Sequence, residues 1–271
     1  MIDAKDRPTA LAAPDTTTLR ERPRWIGGAI GFVTLIAIWY LLAVTFLAHK
    51  HVLPRPDVVI KTVFYDPGYS VWPALGRTAT EAGFGFLWGN AIALFLAGLF
   101  VVFPIAERAL LRVALATYCM PVIAIGPILQ IILNGTAPKI ALAALSVLFT
   151  TLIGALRGLR SADPISIELI GAYGGRRWQE FWRVRFHAAL PSTFAGLSIA
   201  APAAVLGAII GEYLGTDQGI GLGIMNAENV LNAARVWALA LIVTALAGAG
   251  YFVIHTVGRA LTPWAPRQAS T

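Results

Sequence analysis

Long runs of apolar residues alternate with short polar segments along this sequence. Six runs contain no Lys, Arg, Asp or Glu over a membrane-spanning length of about 20 residues: Trp25–Ala48, Ala82–Ala106, Val113–Leu133, Ile140–Leu156, Ala188–Gly211 and Val236–Gly258. Lipid offers the backbone no hydrogen bonds, so all six runs are predicted to be helices. Six such runs in one short chain exclude the alternative of buried core helices. The predicted fold class is an all-α membrane protein with about six transmembrane helices.

Composition supports this interpretation. Of the 271 residues 57% are hydrophobic and 13% charged, and the mean hydropathy is +0.70. Soluble domains contain roughly 25% charged residues, so an ordinary soluble enzyme and a disordered chain are both excluded. The single cysteine, Cys119, cannot form an internal disulfide and is predicted to be a small buried apolar residue. No cysteine–histidine spacing indicates a metal site.

The positive charges predict the orientation. Of the 21 Lys and Arg residues, 15 fall on the side of the N-terminus, and the other six are Lys50, Arg55, Lys61, Arg77, Lys139 and Arg235. The positive-inside rule therefore predicts that both termini are cytoplasmic. The net charge of +7 is then a topology signal and does not indicate nucleic acid. We expect a disordered cytoplasmic tail over 1–24, a transmembrane domain over 25–260 and a cytoplasmic tail over 261–271.

Several local features interrupt the spans. A short helix along the outer interface is predicted within His51–Tyr65. Pro121, Pro127 and Pro202 lie inside spans, where they indicate either close packing among small residues or kinked helices that line a path. The glycines at 219, 221 and 223 lack the spacing of a dinucleotide-binding loop, and no P-loop occurs anywhere in the sequence.

The most informative segment is the cytoplasmic loop 157–191. Asp163 followed by Pro164 predicts a helix start, and Gly171, Gly174 and Gly175 predict its end. A second, amphipathic helix is predicted from Arg176 to His187, with aromatic side chains on one side. Two interpretations stay open: a basic helix that rests on the inner leaflet, or a helix–turn–helix presented to a cytoplasmic partner.

This loop resembles the EAA loop of ABC importer permeases. Glu168, Gly174 and the pair Leu190-Pro191 match that pattern, whereas Leu169 and Ile170 stand where the pattern has two alanines. The segments 53–56, 158–164 and 212–223 are similar to the nitrate/sulfonate/taurine branch of these permeases. The resemblance covers most of residues 25–260 and implies the type I importer permease fold, a chain that is not an enzyme, and a bacterial plasma (inner) membrane location.

The resemblance also implies partners and sites. The loop would form a coupling helix that docks on a separate ATPase, present in two copies and holding ATP and Mg, with no cofactor in this chain. The implied coupling residues are Glu168, Gly171, Ala172, Gly174, Arg176, Arg177, Leu190 and Pro191. A second copy of the permease, an extracellular or periplasmic substrate-binding protein and the lipid bilayer complete the expected partners, and no nucleic acid is among them.

The predicted function is a permease that forms the translocation pathway of an ATP-driven importer. The predicted cargo is a small anion such as a sulfonate or nitrate, and the alternatives are a neutral or zwitterionic metabolite or a stand-alone secondary transporter. Secondary transporters commonly keep ionisable groups within the membrane, but the runs contain only His255, with Glu212 just beyond the fifth. No catalytic set or paired carboxylates are apparent within the spans. Asn90 and Gln130 are candidates for lining the pathway.

Overall fold

The computed structural model describes residues 24–45, 53–66, 69–215 and 218–265, and all regular secondary structure in these ranges is helical. A π-helical turn, Phe181–Arg185, joins α8 to α9. The eleven α-helices of this part of the chain are α1 Arg24–Val44, α2 Pro56–Tyr65, α3 Val71–Val102, α4 Pro104–Cys119, α5 Val122–Ile132, α6 Ala137–Arg160, α7 Pro164–Ala172, α8 Arg177–Glu180, α9 Phe186–Tyr213, α10 Ile220–Asn229 and α11 Ala233–Leu261. Most of the predicted N-terminal tail and the end of the C-terminal tail lie outside the described residues.

Among the described residues, five helical stretches are long and apolar enough to cross a membrane. They are α1, α3, α6, the continuous stretch Arg177–Tyr213 and α11, and α5 is a shorter apolar helix. The all-α membrane fold predicted from the sequence is confirmed. The third predicted span is not one helix, because Pro121 lacks the amide hydrogen that would continue it, and the chain breaks there into α4 and α5. The predicted short outer helix is present as α2.

The centre of the bundle consists of α3, α6 and α9, which pack closely through small residues. A Cβ added to Gly154 would lie 3.3 Å from the Cα of Gly196, and one added to Gly207 would lie 2.7 Å from the Cα of Ala143. Such contacts let two helix backbones approach without intervening side chains. The density of small residues around Pro202 therefore serves close packing, and α9 continues as a helix through this proline.

The peripheral helices contact the bundle less. The indole Nε1 of Trp39 on α1 donates to the Pro54 carbonyl at 3.2 Å, and the Trp39 and Trp237 rings lie 5.5 Å apart. Most other described side chains of α1 are exposed and apolar, as expected for a surface that faces lipid or another subunit. Cys119, which the sequence predicted to be buried, is exposed at the end of α4, because α4 ends there and the chain turns at Pro121.

Different short helices lie at the two ends of the bundle. One end, called here the α7 end, contains α7 and α8, the start of α4 and the end of α6. An ion pair between Glu107 and Arg160 connects α4 with α6 there. The other, called the α10 end, carries α2 and α10 with the first turns of α3, α6 and α11. There the Arg235 guanidinium binds the Asp66 carboxylate at 2.5 and 2.7 Å.

Candidate coupling loop and buried ionic cluster

The first four residues of the predicted loop 157–191 belong to α6, which continues to Arg160, and the capped helix that the sequence predicted follows as α7. The Asp163 carboxylate accepts hydrogen bonds from the backbone amides of Ile165 at 3.2 Å and Ser166 at 3.1 Å, and from the Ser166 hydroxyl at 2.9 Å. These bonds satisfy amides at the start of α7 that have no partner within the helix. The bond from the Ser166 hydroxyl, together with the backbone amide bonds, lowers the pKa of Asp163.

α7 presents an exposed apolar stripe. Ile165, Leu169 and Tyr173 are 75%, 56% and 87% exposed and follow one another at four-residue spacing, which places them on one side of the helix. Glu168 is exposed beside this stripe. A short helix with an uncovered apolar stripe and one adjacent carboxylate is suited to docking on another protein.

A glycine turn ends α7. Gly174 has a φ of +75°, which glycine adopts without steric cost, and its amide donates to the Gly171 carbonyl at 2.9 Å. The Gly175 amide donates to the Ile170 carbonyl at 2.9 Å. The predicted end of the helix at these glycines is confirmed. Gly171, Ala172, Gly174, Arg176 and Arg177 are all exposed.

The second predicted helix does not stop at His187. It begins at Arg177, passes through the π-helical turn and continues as α9 to Tyr213, so Leu190 and Pro191 are partly buried within α9. A cluster of aromatic rings lies at its start, with neighbouring ring centroids 5.1–6.0 Å apart: Trp178, Phe181, Trp182 and Phe186.

Arg185, which stands between Trp182 and Phe186 in the sequence, is paired. Its guanidinium donates to the Glu180 carboxylate at 2.6 and 2.8 Å, and to the Leu159 carbonyl of α6 at 3.4 Å. The bond to the Leu159 carbonyl attaches the start of the long helix to the end of α6, and the bonds to Glu180 hold the Arg185 side chain in place. Movement of the loop would therefore be transmitted to two helices of the central bundle.

The two predicted pathway residues occupy different surroundings. Asn90 is 5% exposed; its amide donates to the Phe86 carbonyl at 2.6 Å and accepts from the Thr151 hydroxyl at 2.5 Å, between α3 and α6. Gln130 lies on α5 beside Gly215, and its Nε2 is buried without a hydrogen-bond partner among the described residues.

Neither of these two side chains lines the apolar cavity beside α5. That cavity has a volume of about 390 Å³ and lies between α4, α5, α6 and α9. Its wall is apolar apart from Ser146 and Tyr118, and the Tyr118 ring stacks on Phe149 at a centroid distance of 4.2 Å. No charged side chain among the described residues lines it.

The α10 end contains a buried ionic cluster of Thr78, Glu81, Lys139 and Glu212. The Lys139 Nζ lies 2.7 Å from the Glu81 Oε1, and both side chains are less than a tenth exposed. The Glu212 carboxylate accepts from the Thr78 hydroxyl at 2.6 Å and from the Gly221 amide at 2.7 Å. The cluster joins α3, α6 and α9 to the start of α10.

The sequence analysis missed this cluster. It found no paired carboxylates in the membrane, because the spans were chosen as runs without charge. Two runs therefore begin just after Glu81 and Lys139, and a third ends just before Glu212. In the structure α3 extends eleven residues before Ala82 and α6 starts at Ala137, so these side chains are inside helices. The helical spacing of Thr78 and Glu81, one turn apart on one face, was the available signal.

The glycines at 219, 221 and 223 allow α10 to pack closely against its neighbours at this end of the bundle. A Cβ on Gly221 would lie 2.6 Å from the Ile209 carbonyl oxygen, and one on Gly223 would lie 2.5 Å from the Tyr69 ring. The Tyr69 hydroxyl donates to the Gly219 carbonyl at 2.7 Å. Burial and then the nearby Glu212 carboxylate raise the pKa of Tyr69 to about 12. The glycine motif therefore packs α10 against the bundle, consistent with rejecting a nucleotide site.

Comparison with known protein families identifies this arrangement. The family described as "Binding-protein-dependent transport system inner membrane component" matches residues 89–265, which include both the loop and Glu212. The chain belongs to this family. It is therefore a multi-pass membrane component of a binding-protein-dependent transport system. The predicted resemblance to importer permeases is confirmed, and so is the prediction of a transport subunit that is not an enzyme.

Individual permeases are similar to the chain over most of its length. A formylaminopyrimidine transport permease protein of Halalkalibacterium halodurans is 28% identical over 240 residues, 88% of this chain and 95% of that protein. A taurine transport system permease protein of Escherichia coli is 25% identical over 246 residues, 85% of this chain and 86% of that protein. A riboflavin transport system permease protein of Chloroflexus aurantiacus is 29% identical over 163 residues, 58% of this chain and 59% of that protein.

Proposed function

We propose that the chain is the permease subunit of an ATP-driven importer and couples to a separate ATPase through the loop 157–191. The exposed stripe of Ile165, Leu169 and Tyr173 carries this proposal, because it is an apolar surface at the end of a membrane bundle with a carboxylate at its margin. ATP and Mg would be held by the ATPase, and this chain would contribute no cofactor.

Coupling would work through the continuity of α8 and α9. The ATPase would move α7, and the bonds of Arg185 to Glu180 and to the Leu159 carbonyl would pass this movement to α6 and α9. A shift of packed helices between two arrangements is a common form of alternating access. The proposed coupling surface also includes the exposed Arg176 and Arg177. The part of α9 that anchors this surface to the bundle contains Leu190 and Pro191.

The proposed assembly contains two copies of this permease, two ATPases and a substrate-binding protein at the opposite side of a bacterial plasma membrane. The sequence has no internal repeat, so one chain supplies half of a two-fold pathway. The α7 end would face the cytoplasm, together with both termini, as the excess of Lys and Arg on that side predicts. The mass of the intact purified complex tests this stoichiometry, and a complex with a single permease chain would contradict it.

A small anion such as a sulfonate or nitrate is the first candidate for the cargo. The taurine permease among the relatives supports it, because taurine carries a sulfonate group. An anion would rely on amide and hydroxyl donors along the path, and the unpartnered Nε2 of Gln130 is one such donor. We keep Gln130 and Asn90 as proposed pathway residues.

A nitrogen heterocycle without net charge is the second candidate. The apolar cavity of about 390 Å³ favours it, because an aromatic ring could pack beside Tyr118 and Phe149 without needing a cationic partner. The relatives named for formylaminopyrimidine and riboflavin are consistent with this class.

Uptake by the reconstituted complex separates the two cargo classes. Transport of taurine, an alkanesulfonate or nitrate, with no transport of a pyrimidine, would support the anion. Transport of the pyrimidine alone would contradict the anion and leave the permease function intact. The loop proposal is tested separately by co-purification of the ATPase, which should be lost when Leu169 and Tyr173 are both replaced by Asp.

A further inference from the structure

The buried ionic cluster contains two carboxyl groups and one ammonium group. Lys139 pairs with Glu81, and Glu212 has only hydrogen bonds from the Thr78 hydroxyl and the Gly221 amide. Arg235, on the neighbouring α11, is bound to Asp66 at 2.5 and 2.7 Å. Among the described residues the cluster therefore has one positive charge for two acidic groups.

The neighbouring helices, as far as the structure describes them, supply no second cation to balance the second carboxyl group of the cluster. The Arg77 side chain of α3 is exposed, and Glu228 of α10 is exposed and accepts from the Tyr213 hydroxyl at 2.6 Å. Tyr69, which packs on the same glycines, is neutral at physiological pH because its pKa is about 12. The described groups that face the cluster thus leave its charge unbalanced if both glutamates are ionised.

One carboxylate oxygen also lacks a partner. The Glu81 Oε2 is buried and has no hydrogen bond among the described residues, whereas both oxygens of Glu212 accept one. Glu81 lies one helical turn after Thr78, whose hydroxyl binds Glu212, and its partner Lys139 packs against Gly211, the residue before Glu212. Two ionised carboxylates in this position would repel each other, and a buried unpaired charge is costly.

A single proton resolves both observations. We propose that Glu81 and Glu212 share one bound proton, so that the α10 end contains a buried proton-binding site. The proton makes the cluster neutral, with one carboxylate against Lys139, and supplies the donor that the unpartnered Glu81 oxygen needs. This proposal stands on the packing of α3, α6 and α9 and does not depend on the cargo or the ATPase.

The proton links stability to pH. A glutamate in the unfolded chain has a pKa of about 4.3, so at neutral pH unfolding releases the shared proton. The native state then binds more protons than the unfolded state, and stability falls as the pH rises. Loss of the proton would leave two ionised carboxylates and one ammonium group in the same buried cluster. It would loosen the start of α10, which Glu212 holds through the Gly221 amide.

Infrared spectroscopy of the full-length chain in lipid nanodiscs tests the site directly. At about pH 6, well above the pKa of a free glutamate, the wild type should show the carbonyl absorption of one neutral carboxyl group. Glu81→Gln and Glu212→Gln should each lose it, because each leaves a single carboxylate opposite Lys139. Glu228→Gln, which changes an exposed carboxylate of the same region, should keep it.

Two results would overturn the proposal: a wild type without this absorption, or an absorption that survives in either glutamine variant. Thermal unfolding gives a second measurement. Relative to Glu81→Gln, the unfolding constant of the wild type should rise about tenfold per pH unit between about pH 5 and pH 6. A pH dependence equal to that of Glu81→Gln, or a midpoint that depends on sodium instead, would contradict a bound proton. Should Glu212→Gln not fold, Glu81→Gln carries both tests, because it keeps the hydrogen bonds of Glu212.

Discussion

Gly219 faces the carboxylate of Glu212 so closely that any side chain at position 219 would overlap it. The backbone of Gly219 also has a φ of +113°, which residues other than glycine rarely adopt. The contact fixes the start of α10 against the end of α9, and it requires glycine for two independent reasons.

Gly219→Ala should therefore destabilise the protein. The backbone strain alone costs about 1–3 kcal/mol, and displacement of the Glu212 carboxylate would add to it. Thermal unfolding of the purified protein measures the effect. Gly248→Ala is the matched control, because a Cβ at this exposed helical position meets no atom within 4 Å. Equal unfolding midpoints for the two variants would contradict the packing argument.

Gly174→Val should disturb the turn after α7. A β-branched residue at a φ of +75° is strained by at least about 1–2 kcal/mol, so α7 should change its orientation. We expect normal membrane insertion with loss of substrate-stimulated ATP hydrolysis by the complex. Gly174→Asn is the control, because asparagine tolerates the left-handed conformation better, and it should retain most activity. Full activity of Gly174→Val would argue against a role for this turn.

Glu168→Lys tests the charge at the margin of the docking stripe. The side chain is exposed, so folding should change by less than about 0.5 kcal/mol. If Glu168 faces a basic residue of the ATPase, reversal of its charge should reduce ATPase co-purification, and high salt should reduce the difference between variants. Glu168→Gln should have a smaller effect than Glu168→Lys. Unchanged co-purification in both variants would exclude a charge contact.

The sequence predicted the loop better than the buried cluster, for a physical reason. Helix caps and glycine turns depend on neighbouring residues, so Asp163 and Gly174 could be interpreted from local spacing. Glu81 and Glu212 are separated by more than 130 positions, and only the packing of α3 on α9 brings them together. The break at Pro121 was foreseen as an interruption, whereas the continuity of α9 through Pro191 was not, because neighbouring helices support it.

Thr151→Val should separate packing from transport at Asn90. The substitution keeps the shape of the side chain but removes the hydroxyl that donates to the Asn90 Oδ1 at 2.5 Å. A buried acceptor left without its donor costs about 1–3 kcal/mol, so the unfolding midpoint should fall. Cargo selectivity should change as well, because the Asn90 amide, a proposed pathway residue, loses the hydroxyl that orients it. A lower midpoint with unchanged selectivity would assign this bond to packing alone and contradict the pathway role of Asn90. Ser198→Ala, which removes a hydroxyl bonded only within α9, is the control.

Acidification should release the start of α7 through Asp163. Hydrogen bonds to its carboxylate lower the pKa of Asp163 in the folded protein. The stabilisation is therefore complete above the pKa of an unfolded aspartate, about 3.9, and disappears as the pH falls through the lower folded value. Amide hydrogen exchange at Ile165 and Ser166 measures the cap directly, and protection at these amides should be constant from neutral pH to about pH 5.

Two substitutions distinguish the cap from a general acid effect on α7. Asp163→Asn retains a side-chain acceptor for the amides, so protection should persist and lose its dependence on acid. Asp163→Ala removes the acceptor, so protection should be low at every pH. ATPase binding should also be weak if the ATPase recognises an ordered α7. Equal protection in Asp163→Ala and the wild type at neutral pH would show that the rest of the loop orders α7 without this cap.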